Sequence, residues 1–223
     1  MMLSFLDWGS SFRSKKVSSK DQNDNAGWPP SFPQSQLTLL LGTAPARERL
    51  RSLLLKRQQL QLAIRLPESE SVDDWIVLHC IDFLNLLNLL YGMVYVHACT
   101  PNTCPRMTAG PAYEFLWQRS DKRTMERLPA SKYIELVLSW AEEELRRLMA
   151  GSANRKSCHK LAQRFHRIFA HLYHHHLADL LDMDAIAHLN TSYLHFYFFI
   201  KEFDLVGSKE LEPMRALTEC LLA

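Results

Sequence analysis

Two cysteines, Cys99 and Cys104, separated by four residues, close a long apolar stretch, and a histidine-dense run, His171, His174, His175 and His176, follows far downstream. Thiolates and imidazoles are the donors of structural zinc, which takes four of them in a tetrahedron. One ion held by both groups closes a long loop and pins distant elements together, which restricts the fold more than any local propensity does. That is a scaffold's use of metal. A catalytic zinc keeps one position open for water beside a general base, and nothing near these donors supplies that base. The plainer reading makes the cysteines ordinary buried thiols and the histidines a solvated face. Periodicity pairs His171 with His175, because residues five apart are rotated by about 140° at 3.6 residues per turn.

A length of 223 residues suits one large domain with a tail. The chain is 47% hydrophobic with seven glycines and few hairpin signals, which points to an α-rich fold with a sizeable core. Its five cysteines show no disulfide framework, and the opening residues turn polar at once, unlike a secretory signal. The expectation is a protein with reduced thiols in the cytoplasm, with the nucleus as a second location. Residues 75–96 are long enough to span a bilayer but carry His79, Asp82, Asn85 and Asn88. An aspartate near the middle of a lipid-exposed helix costs about 2.5–3.5 kcal/mol. The polar residues recur at every third position, one narrow stripe on an apolar cylinder, so the stretch reads as the buried central helix of a soluble domain with no membrane span.

Residues 1–36 form a flexible polar and basic tail, rich in Ser, Lys, Asn and Pro, and residues 37–223 form the folded domain. A helix is predicted over residues 47–64, ended by Pro67. Ser71 then caps the central helix, with Asp73 and Asp74 in its first turn. Tyr113, Phe115 and Trp117 alternate with Glu114, Leu116 and Gln118, a short hairpin whose turn falls at residues 119–122. Further helices are predicted over residues 131–149, 156–180 and 185–203, with Gly151 and Gly207 at the ends of two, and a last one runs from Ser208 to the C-terminus. The fold class is mostly α: a helical bundle around a long central helix, with a short β-hairpin and one structural zinc site.

The net charge of +2 hides segregation. Residues 66–105 carry Glu68, Glu70, Asp73, Asp74 and Asp82 and no Lys or Arg, whereas residues 145–178 carry Arg and Lys and no acid. Opposite runs of this length suggest two binding surfaces of opposite sign. In the basic run Lys160, Arg164 and Arg167 fall on one helical stripe, while Leu161, Phe165, Ile168 and Phe169 face the core. Guanidinium pairs suit a phosphorylated side chain. Nucleic acid is disfavoured, because the balance is only mildly basic and no aromatic platform accompanies the arginines.

Several blocks resemble the Mob (Mob/phocein) kinase activators. They include Leu66-Pro67-Glu68 with Asp73-Asp74-Trp75-Ile76, and Asn88-Leu89-Leu90-Tyr91-Gly92. Next come Cys99-x4-Cys104-Pro105-x-Met107 and Ala109-Gly110-Pro111-x-Tyr113-Glu114, then Arg164-Phe165-x-Arg167-x-Phe169-Ala170-His171-x-Tyr173-His174-x-His176. Ala187-His188-Leu189-Asn190-Thr191, His195-Phe196 and Lys201-Glu202-Phe203 with Glu210-Leu211-x-Pro213 complete the set. The match is to the zinc-binding Mob branch; phocein itself has a different metal motif. The resemblance implies one structural Zn2+ on Cys99, Cys104, His171 and His176, with a helix end bending to deliver the fifth residue, and His174 packed or supporting.

It further implies a non-enzymatic adaptor that activates a serine/threonine kinase of the NDR/LATS type. The kinase would dock on Glu70, Asp74 and Asp82. A phosphorylated segment of an upstream kinase or scaffold would dock on Arg164 and Arg167, with Lys160 one turn back and Gln163 where the family has a third cation. The segment between Trp140 and Arg164 is shorter than in typical members. A zinc-stabilised scaffold without kinase activation is the alternative. A zinc hydrolase or deaminase would need a His-Glu-x-x-His helix, or His-x-Glu with Pro-Cys-x-x-Cys, and both are missing from the sequence.

Overall fold

Arg57–Ala63 (α1) and Val72–Tyr95 (α2) are the first helices whose full extent is described in the computed structural model, which describes residues 51–118, 124–151 and 155–223, together with 14–16, 37, 42 and 48. Ser71 caps α2 as expected: its Oγ accepts the Asp74 N–H at 3.5 Å, and Asp73 and Asp74 sit where the helix dipole favours negative charge. Then come the strands β2 (Thr108–Ala109), β3 (Tyr113–Phe115), β4 (Trp117–Gln118) and β5 (Met125–Glu126). The chain ends in helices α3 (Ala130–Met149), α4 (Arg155–His175), α5 (Leu177–Asp182), α6 (Ile186–Glu202), α7 (Ser208–Leu211) and α8 (Arg215–Leu222).

α2 packs against α3, α4 and α6. Phe196 of α6 bridges the layers, its ring 5.2 Å from Phe83 of α2 and 5.2 Å from Phe169 of α4. Each such fully buried aromatic contributes about 1.5–3 kcal/mol by leaving water. Tyr173 donates to Asn190 at 2.8 Å, adding a directional bond to the ring contacts that join α4 to α6. Among the described residues α2 is the one helix long and apolar enough to cross a membrane, and half of its apolar window is buried. The expectation of a helix enclosed on all sides is thereby corrected. Ile76, Phe83, Leu87 and Val94 face the core, while Leu78 and Leu89 stand 49% and 70% exposed beside Asp74 and Asp82. His79 leaves the predicted polar stripe and is buried among Trp75, Phe83 and Phe199.

Other expectations shift for identifiable reasons. Of the helix predicted over residues 47–64, the described part is helical only at Glu48 and over α1. The stretch 51–56 is held out of helix by α6: Thr191 Oγ1 accepts the Leu54 N–H at 2.9 Å, and Asn190 donates to the Ser52 carbonyl at 3.0 Å. The helix predicted over 156–180 is interrupted at His176, whose backbone (φ −125°, ψ 16°) leaves the helical region and starts α5. Gly151 takes the left-handed conformation expected of a helix end (φ +94°). Gly207 does not: its φ is −70° and it precedes α7, while Asp204 takes the positive φ after α6. The last helix is divided by Pro213, which tightens Glu212–Met214 into a 3₁₀ turn.

The β region is also more divided than one hairpin. Trp117–Gln118 pairs with Met125–Glu126 as predicted for a hairpin, its turn lying outside the described residues. Tyr113–Phe115 instead pairs back onto Thr108–Ala109, turning at Gly110 (φ +64°). Its other edge takes β1, Ser14–Lys16, antiparallel. The remainder of the tail predicted over residues 1–36 lies outside the described residues.

Candidate metal centre and the charged faces

The loop after α2 carries both cysteines inward. Cys99 N–H donates to the Val94 carbonyl at 2.8 Å and Cys104 N–H to the Thr100 carbonyl at 2.8 Å, so both thiols hang from tight turns. Thr100 and Thr103 brace the loop by exchanging side-chain-to-backbone bonds, and the Cys104 carbonyl accepts from Ala130 at the start of α3. The last turn of α4 supplies His171, and the interruption that ends α4 swings His176 round to face Cys104. The break in the helix is therefore what brings the fifth residue, His176, into the group of possible donors.

The four donor atoms of Cys99, Cys104, His171 and His176 lie within 4.8 Å of one another, all on buried residues. His171 Nε2 is 3.6 Å from Cys99 Sγ, and His176 Nε2 is 3.5 Å from Cys104 Sγ. A tetrahedral ion with bonds of about 2.3 Å to sulfur and 2.0–2.1 Å to nitrogen has sulfur–nitrogen edges of about 3.6 Å, so these two edges have zinc's dimensions. Each imidazole is oriented through its other nitrogen. His171 Nδ1 donates to the Thr108 carbonyl at 2.9 Å and His176 Nδ1 to Asp179 Oδ2 at 3.2 Å, which turns both Nε2 lone pairs inward. The hydrogen bond shared by the two sulfurs pulls the Cys104 thiol well below its ordinary range, with His171 and His176 adding to the effect, and pushes Cys99 up. One sulfur is poised as thiolate, and a divalent ion would ionise the second.

His175, the partner that periodicity alone favoured, is not in the group. It stacks on His171 with ring centroids 4.7 Å apart, and its Nε2 pairs with Thr108 Oγ1 at 2.9 Å. Burial, then the neighbouring His171, holds it neutral. His174 points away to the Pro213 carbonyl, 3.0 Å distant, and ties α4 to the C-terminal segment.

The basic stripe is folded inward rather than displayed. Lys160 is half-buried, whereas Arg164 and Arg167 are 2% and 1% exposed. Arg164 lies 3.8 Å over the Trp140 ring and 4.9 Å from Trp117; burial lowers its guanidinium to about 10, so it stays charged at neutral pH. Arg167 donates to Tyr133 at 3.2 Å and to Glu210 at 3.1 Å, over the Phe115 ring. The expectation that no aromatic platform accompanies these arginines is overturned: Trp140 comes from α3 and Trp117 from the hairpin. Spacing within α4 carried no signal of them, nor of Glu210. The acidic positions behave differently. Glu70, Asp74 and Asp82 are all exposed, and Leu78 and Leu89 join the face of α2 that carries Asp74 and Asp82. The i, i+4 recurrence of exposed positions 74, 78 and 82 was the signal available for that mixed face.

The profile of the Mob1/phocein family matches residues 52–214, a span that includes all four donors, both charged groups and Glu210. The chain belongs to this family. MOB kinase activator 3C of Mus musculus is 43% identical over 172 residues, covering 72% of this chain and 78% of that relative. MOB kinase activators 3A and 3B of Homo sapiens are each 40% identical over 169 residues, covering 71% of this chain and 77% and 78% of those relatives. The Mob reading of the ligand set and the geometry agree on the same four residues, and they do so against helical periodicity.

Proposed function

We propose that this Mob-family chain is a non-enzymatic adaptor that binds and activates a serine/threonine kinase of the NDR/LATS type, with a structural zinc ion closing its base. The observation that carries this reading is the outward face of α2. It sets Asp74 and Asp82 among exposed leucines, on a helix whose far end leads into a buried group of four donors that, with an ion bound, would tie it to α4. A basic, amphipathic helical extension of a kinase would find leucines for its apolar side and carboxylates at the rim. Its active arrangement would gain population because the adaptor binds that arrangement better. The names of the MOB kinase activators among its relatives support the same reading.

Docking of a phosphorylated segment from an upstream kinase or scaffold at Lys160, Arg164 and Arg167 is part of the proposal. Since Arg167 is engaged by Glu210 and Arg164 lies against tryptophan, a phosphate must compete with internal partners, and its affinity is correspondingly modest. All five cysteines are free and buried, in keeping with a reducing compartment, cytoplasm and nucleus.

The test uses the purified full chain and a purified NDR/LATS-type kinase. Asp74→Lys with Asp82→Lys should weaken binding and activation, chiefly through a slower on-rate that is most evident at low salt. Unchanged binding by the double variant would remove α2 as the docking face; binding without activation would favour the scaffold reading.

A further inference from the structure

We propose that Asp179 is the positioning residue that sets how firmly the metal centre holds His176, and hence how readily the ion leaves. The proposal rests on the metal reading above. The two imidazoles are supported unequally. His171 is held by a backbone carbonyl, that of buried Thr108, which no substitution at residue 108 removes. His176 stands at the break between α4 and α5, and the group on its Nδ1 is a side chain, Asp179 Oδ2, itself 38% exposed.

A carboxylate on the far nitrogen fixes the tautomer and ring orientation of a ligating imidazole and makes its metal-facing nitrogen more basic. Solvent reaches the Asp179 carboxylate and is kept from the Thr108 carbonyl. Removing the carboxylate frees the His176 ring to rotate, while Cys99, Cys104 and His171 keep their buried supports. Metal release therefore begins at His176, on the side where Asp179 meets water.

Asp179 also sits in the first turn of α5, where a negative charge favours the helix whether metal is bound or not. The experiment must separate the two roles. The full-length chain is prepared as wild type, D179A, D179N and D182N, the last a neighbouring exposed acid on the same helix. Zinc affinity is measured by competition with a chromophoric chelator, and zinc release is followed after adding excess chelator.

D179A should bind zinc about 10–100-fold more weakly and release it faster. D179N, whose amide oxygen can still accept from Nδ1, should recover most of the affinity, and D182N should match wild type. Zinc affinity of D179A within twofold of wild type, or equal losses in D179A and D182N, overturns the assignment. A wild type that takes up no zinc overturns the metal reading itself, and this assignment with it.

Discussion

His79 sits in the middle of α2 with neither ring nitrogen hydrogen-bonded among the described residues, facing His195, Trp75, Phe83 and Phe199. Burial, and then the charge of His195, lowers it from 6.5 to about 4, and burial lowers His195 as well, against the pull of Asp82. The sign of the consequence follows from proton counting. Below pH 6.5 the unfolded chain binds a proton that the folded His79 refuses until about pH 4. Stability is therefore complete above 6.5 and falls as pH drops through that window. His166, lowered to about 3 by burial and Arg167, extends the loss further. Denaturant midpoints at pH 7 and pH 5 should fall less in His79→Phe than in wild type. Parallel losses in the two proteins would show that His79 is not the group that titrates.

At the level of elements, α2 has one packed face and one open face, the latter the docking face of the proposed function. Leu87 is fully buried, and Leu87→Ala should cost about 2–5 kcal/mol through lost transfer energy and the cavity left behind. Leu89 is open to water, and Leu89→Ser should stay within about 0.5 kcal/mol of wild type while weakening kinase binding. A denaturation curve for each variant distinguishes them; equal losses would mean that Leu89 packs against something in the free protein.

Much of this architecture is legible in residue order. The Ser71 cap, the central helix, Gly151 and the core-facing Leu161, Phe165 and Phe169 all follow from periodicity and turn chemistry, because each depends on near neighbours. The misses share one cause, a partner distant in sequence. Residues 51–56 have helical composition, yet Asn190 and Thr191 claim their backbone. Arg164 and Arg167 look like a solvent stripe until Trp140, Trp117 and Glu210 arrive from other elements. Nor does any helix breaker mark His176; periodicity runs through it, and only the resemblance to Mob proteins pointed to the fifth residue.

For the whole molecule, the metal cage joins positions 72 residues apart, Cys99 to His171 and Cys104 to His176. A permanent cross-link closing a loop of that length would remove about 4 kcal/mol of chain entropy from the unfolded state. An ion does the same while it stays bound, and its binding energy is coupled to folding. Chelating the ion, or replacing Cys99 with Ala, should lower the melting temperature strongly and make the protein aggregate, and the purified chain should carry about one zinc. Metal-free protein that melts like the loaded form would refute a structural role.

The order of the donors along the chain also has a consequence during synthesis. Cys99 and Cys104 leave the ribosome long before His171 and His176 exist; at roughly 5–20 residues per second the wait is roughly 4–14 s. For that interval the nascent chain presents two neighbouring thiols with half a coordination sphere, able to capture a stray ion or to oxidise to each other. Under the proposed zinc reading, folding to the right end state depends on a reducing surrounding that lasts until His176 is translated, and on zinc exchange fast enough to let an early, incomplete complex rearrange.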